Sequence, residues 1–344
     1  MKAARVHRFG DALQIDDVPE PQPGPGEVSI DIEFVAVNPL DVWVTQGTVA
    51  GGSQPLPFIP GIEAVGVVDG RRYVVDASNF GTARDGLYRE RAAVPRAALI
   101  PVSESADPAQ AAAMPVTGRT AWWLVNQVAP VSEADRVIVL GASGGVGSLV
   151  VQLAKGRGAV VWGQTSSQEK VESITEAGAD RAVVANADNL AVQLAELAPT
   201  IAFDALGGRF TRVLVGALGM GGRIVLVATS SDPEATLDLR TLYRKGRQPA
   251  PRLRATTSAT GRRRGGAGRT GGRASEGTGR RGVATGSRSR GSPPHTDQSR
   301  QREAAPATLM QRSRFSGIRL GEAVASQRSI DQRVGLPDSR STFW

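Results

Sequence analysis

The chain contains no cysteine and only two histidines, His7 and His295. Without cysteine there is no disulfide, no thiolate nucleophile and no cysteine-ligated metal; the lack is compatible with a reducing compartment, and a cytoplasmic location is the expectation. Two histidines leave zinc hydrolysis or zinc-assisted alcohol oxidation without a ligand set, so no metal ligand is expected. No run of about 18 apolar residues occurs, so no membrane span is expected. The opening Met1-Lys-Ala-Ala-Arg-Val-His-Arg-Phe9 lacks a signal-like apolar segment and reads as a first strand. Twenty arginines, no lysine and six acidic residues from Arg247 to Trp344 give that stretch +14, while the first 246 residues carry −6; the overall +8 averages two unlike pieces.

The basic stretch includes Gly261-Arg-Arg-Arg-Gly-Gly-Ala-Gly-Arg-Thr-Gly-Gly-Arg273 and is too poor in apolar residues to offset the entropy of ordering. Disorder is expected to about residue 305, with loose or weakly helical chain over Leu309 to Trp344. Arg-Gly segments bind nucleic-acid phosphates through charge. Here Phe315, Phe343 and Trp344 come late and no aromatics interleave the arginines, so nonspecific adhesion is expected and no specific nucleic-acid partner.

Upstream the pattern is ordered. Residues 2 to 100 carry short apolar or alternating runs (Ala3 to Val6, Val28 to Val37, Ala64 to Val68, Tyr73 to Val75, Arg91 to Val94) separated by Pro/Gly clusters, which predicts a small β-rich, partly barrel-like domain. A helix is expected after Asp107, ended by Pro115. From about residue 119 strands and helices alternate: strands at Arg136 to Gly141, Ala159 to Gln164, Arg181 to Val184, Thr200 to Asp204 and Arg223 to Ala228, with helices between them. That rhythm predicts a parallel sheet with its ligand at the carboxyl ends of the first and fourth of these strands. The expected division is 1–115, 116–246 and a basic tail, 247–344.

The centre of this pattern is Arg136-Val-Ile-Val-Leu-Gly-Ala-Ser-Gly-Gly-Val-Gly147, a strand, a tight turn and a helix start. Small residues at Ala142, Gly144 and Gly147 fit a dinucleotide fingerprint: Gly144 admits close backbone approach to a diphosphate, Gly147 close helix packing, and the helix N–H groups of Gly145 and Val146 face negative charge. A ribose-binding acid is expected about 20 residues later. Gln164-Thr-Ser-Ser167 stands there instead, and Ser166 with Lys170 suits a 2′-phosphate, so NADP is expected over NAD; equally, Ser167 caps the next helix and Lys170 is solvated. Asn38, Asp41, Thr117 and Thr120 are candidates to bond cofactor or substrate. Asn38-Pro39 is also a turn signal, and Thr120 also a helix cap. Asp204 and Gly208 fall at the cofactor crevice by position.

Several of these motifs, in order, resemble the zinc-independent quinone oxidoreductase branch of the medium-chain dehydrogenase/reductase superfamily. The resemblance covers residues 1–246 and runs through Val37-Asn38-Pro39 with Asp41, Pro57-Phe-Ile-Pro-Gly61 with Glu63, Pro115-Val-Thr-Gly118 with Thr120-Ala121, Gly141-Ala-Ser-Gly-Gly-Val-Gly147 with Gln152-Leu-Ala-Lys155, Ala177-Gly-Ala-Asp180, Asp204 and Leu239-Arg-Thr-Leu-Tyr-Arg-Lys-Gly246. It implies a GroES-like domain, incomplete without a C-terminal return, a Rossmann domain, NADPH, and hydride transfer to a quinone or an activated enone or alkenal. By the same resemblance Asn38 and Asp41 line the active cleft, Gly144 and Gly147 bind the diphosphate, Lys170 contacts the 2′-phosphate, and the family's assembly is a homodimer. Metal-using relatives have Gly-His-Glu where this chain has Gly61-Ile62-Glu63.

The chain departs from that pattern. Trp43 and Thr45 stand where a tyrosine and an arginine are common, Ala185 where a tyrosine is usual, and Val68 to Gly86 is short. After Gly246 the family's sixth Rossmann strand, a helix and the returning strands are not recognisable; the tail resembles a frameshifted translation. That leaves a bare edge on the fifth strand and a disrupted dimer as expectations. The alternatives are a redox-inactive NADPH-binding relative and a nonspecific nucleic-acid binder.

Overall fold

The computed structural model describes residues 1–49, 54–76 and 79–246, with the backbone of 254–255, all within one unit of the chain. The expectations about the basic tail, including His295, lie outside the described residues.

The first part of the chain builds a hairpin and a five-stranded antiparallel sheet. The strands β1 (Lys2–Arg5) and β2 (Gln14–Asp17) form the hairpin, and β3 (Glu27–Val35) then runs to a short helix, α1 (Pro39–Thr45). Strands β4 (Glu63–Val68), β5 (Arg71–Asp76), β6 (Arg91–Pro95) and β7 (Leu99–Pro101) complete a sheet of order β6-β3-β4-β5-β7. Its two edge strands both end in proline, which cannot donate to a further strand. The expected barrel does not close among the described residues. The strand β4 is buried almost throughout because α2 (Pro108–Ala112) covers the sheet, setting Ala111 and Ala112 against Val65 and Val74.

Asn38-Pro39 is not merely a turn: Asn38 is the N-cap of α1 and Pro39 its first residue, where a missing N–H costs nothing. The same logic corrects the reading of Pro115. Asp107 caps α2 through the N–H of Gln110 at 2.8 Å, and α2 ends at Ala112. Pro115 lies instead in the first turn of the next helix, α3 (Met114–Trp123), which continues into a π-helical turn over Leu124–Val128.

Beyond α3 strands and helices alternate. The elements are β8 (Arg136–Leu140), α4 (Gly145–Gly156), β9 (Val160–Thr165), α5 (Val171–Glu176), β10 (Arg181–Val184), α6 (Leu190–Leu194), β11 (Ile201–Asp204), α7 (Gly208–Ala217), β12 (Arg223–Leu226) and α8 (Leu239–Lys245). A last pair of residues, β13 (Arg254–Ala255), follows. All the strands pair parallel in the order β10-β9-β8-β11-β12-β13. Successive side chains of a strand face opposite sides. Val137, Val139, Val161 and Phe203 therefore join the core under α3 and α4, while Ile138, Leu140 and Ala202 join the core under α6 and α7. The order reverses between β8 and β11, which opens a crevice at their carboxyl ends.

One feature differs from the expectation. The edge of β12 is not bare along its length, because Arg254 and Ala255 pair with Val225 and Leu226. Within the expected 116–246 span, Asp238 caps α8, and Lys245 Nζ donates to the carbonyls of Gly216 and Leu218 at the end of α7, where a cation is favoured.

Candidate active site

The turn from β8 into α4 is shaped by Gly141, whose φ of 69° lies in the left-handed region. Its carbonyl accepts the N–H of Gly144 at 2.9 Å. A Cβ on Gly147 would come within 2.3 Å of that carbonyl oxygen, so only glycine fits. Ala142 is buried beneath the turn, whereas Gly144, Gly145 and Val146 are partly open. The N–H groups of Gly145, Val146 and Gly147 have no partner within the helix, and no acidic side chain stands in its first turn. A cradle that a side chain would fill, beside helix N–H groups of positive potential, fits the diphosphate of a dinucleotide.

Past the end of β9, Ser166 and Lys170 are both exposed, Lys170 within the 3-10 turn Gln168–Lys170. Ser167 begins that turn, but its side chain makes no capping bond. Gln164 and Thr165 point inward and are buried.

Asp204 does not face the crevice. It is fully buried: Oδ1 accepts the N–H groups of Leu206 and Gly207 at 2.9 and 3.0 Å, and Oδ2 accepts the Thr211 hydroxyl at 2.6 Å. Its carboxylate shapes the turn that leads into α7 and is spent there, which corrects the expectation of a direct cofactor contact. Gly208, at the head of α7, is overlaid by Asp232, whose Cβ a side chain at Gly208 would meet at 2.4 Å.

The remaining candidates converge where α1, β4 and α3 meet. Asn38 donates its backbone N–H to Asp41 Oδ2 at 2.8 Å and its side-chain Nδ2 to Glu63 Oε1 at 2.8 Å. The other Glu63 oxygen accepts the N–H of Val116 at 2.7 Å, in the first turn of α3. One carboxyl thus holds both the Asn38 amide and the start of the helix bearing Thr117 and Thr120. These threonines donate to the carbonyls of Ala113 and Val116, four residues back, so toward any ligand they are acceptors. Thr120 sits inside the helix and caps nothing.

Asp41 is 1% exposed and Glu63 0%, so neither presents a carboxyl to a ligand. Asp41 is thereby corrected from a direct contact to a support for Asn38. Burial pushes Asp41 up to about 7, against the bond from Asn38 and the nearby Tyr88 hydroxyl, which hold it down. Burial likewise pushes Glu63 up to about 8; the bonds from Asn38 and Val116 oppose this, and neighbouring Asp41 adds to it. The Oδ1 atom of Asp41 is buried and makes no hydrogen bond of ordinary geometry among the described residues, so desolvation outweighs the bonds that favour its ionised form. The Tyr88 hydroxyl is pushed up by the same burial and by Asp41, and Arg119, which favours an ionised Glu63, is paired with Asp76.

Glu63 is not among the site residues expected from the sequence. Its signal is a lone carboxylate at the head of the apolar run Glu63-Ala-Val-Gly-Val-Val68, where a charge demands a partner.

Among the described residues no group of three or more His, Asp or Glu side chains is placed to hold a metal ion, and no helix is long and apolar enough to cross a membrane. His7 instead pairs with Asp16 at 2.8 Å.

Residues 24–104 match the alcohol dehydrogenase GroES-like domain family, and residues 145–257 match the zinc-binding dehydrogenase family. Prostaglandin reductase-3 of Bos taurus is 30% identical over 253 residues, covering 71% of this chain and 66% of that protein. The NADPH-dependent alkenal/one oxidoreductase of Arabidopsis thaliana, described as chloroplastic, is 31% identical over 255 residues, 68% of this chain and 64% of that protein. Among solved structures, the quinone oxidoreductase of Thermus thermophilus, also solved in complex with NADPH, is 32% identical with a TM-score of 0.63, covering 71% of this chain and 78% of that one. The match thus spans about two thirds of the curated relatives' length. The chain belongs to the quinone oxidoreductase branch of the medium-chain dehydrogenase/reductase superfamily.

Proposed function

We propose that this chain is an NADPH-dependent, metal-independent oxidoreductase whose substrate is a quinone or an activated enone or alkenal. The observation that carries the reading is the open turn at Gly141–Gly147, followed at the end of β9 by exposed Ser166 and Lys170 in place of a ribose-binding acid. NADPH, when bound, supplies the hydride. The chain's own residues bind and orient: the N–H groups of Gly145, Val146 and Gly147 hold the diphosphate, and Ser166 and Lys170 hold the 2′-phosphate, which a carboxylate would repel. Residues 116–246 serve as the cofactor module and residues 1–115 wall the substrate side. Asn38 has a second side-chain N–H beyond its bond to Glu63 and is the donor for the substrate's carbonyl oxygen; Thr117 and Thr120 accept from the cofactor's amide side. A redox-inactive NADPH binder is the second reading, favoured by Trp43 at a position where the family resemblance implies a polar contact.

The test is a fluorescence titration with NADPH and NADH of the full chain and of Lys170→Ala, followed by turnover on a panel of quinones and enones. NADPH is expected to bind more tightly, and Lys170→Ala to weaken it by roughly tenfold, as loss of one charge-assisted bond does. A folded sample that binds neither cofactor overturns the reading; binding without turnover selects the redox-inactive one.

A further inference from the structure

Gln164 occupies the last position but one of β9 and is 1% exposed. A buried amide is costly unless both its ends are bonded. Both are: Oε1 accepts the N–H of Gly141 at 3.1 Å, and Nε2 donates to the Ala185 carbonyl, just past β10, at 2.6 Å. The backbone carbonyl of the same residue accepts the N–H of Ala142 at 3.0 Å. One residue therefore grips two successive peptides of the glycine turn.

Gly141 is the pivot of that turn. Its carbonyl receives Gly144 and lies against Gly147, so a rotation of its peptide would swing the entrance to α4. An apolar side chain at 164 would leave both the Gly141 N–H and the Ala185 carbonyl without the bonds they make here. A turn held in its binding geometry beforehand binds with less ordering cost than one that must be gathered by the ligand.

We propose that Gln164 is the positioning residue of the diphosphate turn: it holds Gly141 so that the N–H groups of Gly145, Val146 and Gly147 converge on a dinucleotide's diphosphate. The inference rests on the cofactor reading above and deepens it. It makes Gln164 act on one portion of the cofactor, the diphosphate, and leaves the 2′-phosphate contacts of Ser166 and Lys170 untouched.

The experiment measures, by calorimetry on the full chain, binding of NADPH and of adenosine 2′-monophosphate, which carries the 2′-phosphate but no diphosphate. Gln164→Met is expected to weaken NADPH by roughly tenfold, the scale of losing a bond or two of net value, while adenosine 2′-monophosphate changes by less than about twofold. Lys170→Ala is expected to weaken both. An equal loss on both probes, or none on NADPH, overturns the proposal, because a merely structural role moves both alike. If Gln164→Met does not fold, Gln164→Asn, one methylene short of Gly141, must show the same selective loss or the proposal fails. Wild-type protein that binds neither probe sinks the cofactor reading instead, so the two failures are distinct.

Discussion

The turn between β8 and α4 and the junction of α1, β4 and α3 are built from different material. The turn is main chain: a left-handed glycine, a glycine with no room for a Cβ, and helix N–H groups, none of which titrates near neutrality. The junction is side chain: Asn38 held between two buried carboxyls, with one of these also holding α3. The turn is set by steric fit, whereas the junction rests on two buried carboxyls that burial pushes toward the protonated form. Each should therefore break under a different perturbation.

The largest effect is expected from Gly147→Ala. Its Cβ would sit 2.3 Å from the Gly141 carbonyl oxygen, a backbone atom that cannot swing aside. Overpacking of this kind costs about 1–3 kcal/mol, and because the strain falls on the binding turn, NADPH affinity measured by fluorescence should fall by a comparable free energy at every pH. Affinity within about twofold of wild type would mean that the turn is not steric in origin.

The junction should respond to pH. Asp41 and Glu63 are raised in the folded state to about 7 and about 8. The folded protein then retains protons that the unfolded chain has released, so the contribution of these two groups is greatest below the ordinary carboxyl range and declines as pH rises toward 8. Thermal denaturation between pH 5 and 8 should show a falling midpoint, and Glu63→Gln, which keeps an acceptor but does not titrate, should flatten the slope. Glu63→Ala should cost about 2 kcal/mol at pH 6 by stranding the Asn38 and Val116 donors. A slope unchanged in Glu63→Gln would remove Glu63 from the titration.

The smallest effect serves as a control away from both regions. Asp107→Ala removes the cap of α2 and should cost about 1 kcal/mol, lowering the midpoint by a few degrees with cofactor affinity and pH slope unchanged. A change in either would mean that α2 is coupled to the site.

Legibility in the sequence followed the range of the interactions. The strand, turn and helix from Arg136 to Gly156 could be read because apolar periodicity and glycine sterics act within a few residues. The helix α1 was ambiguous, since Asn-Pro starts a turn or a helix equally well, and burial of Val42 and Val44 tipped it. Pro115 is ambiguous in the sequence for the same reason: a proline after a helical run ends one helix or opens another, and here it opens α3. The strand β2, Gln14–Asp17, carries no apolar alternation and exists through its pairing with β1. Asp204 has a plausible address at the end of a parallel strand, but only the folded turn revealed that its oxygens were already used.

By itself the sequence determined the alternation of strands and helices, the turn that admits no Cβ at position 147 and the absence of thiol chemistry, because each is set by local stereochemistry or by composition. Only the folded chain brings Glu63 between Asn38 and Val116, lets Gln164 reach from Gly141 to Ala185, and buries two carboxyls so that desolvation pushes both upward. Those outcomes depend on which distant groups share a dry interior, and desolvation and hydrogen-bond partnership are properties of that shared space.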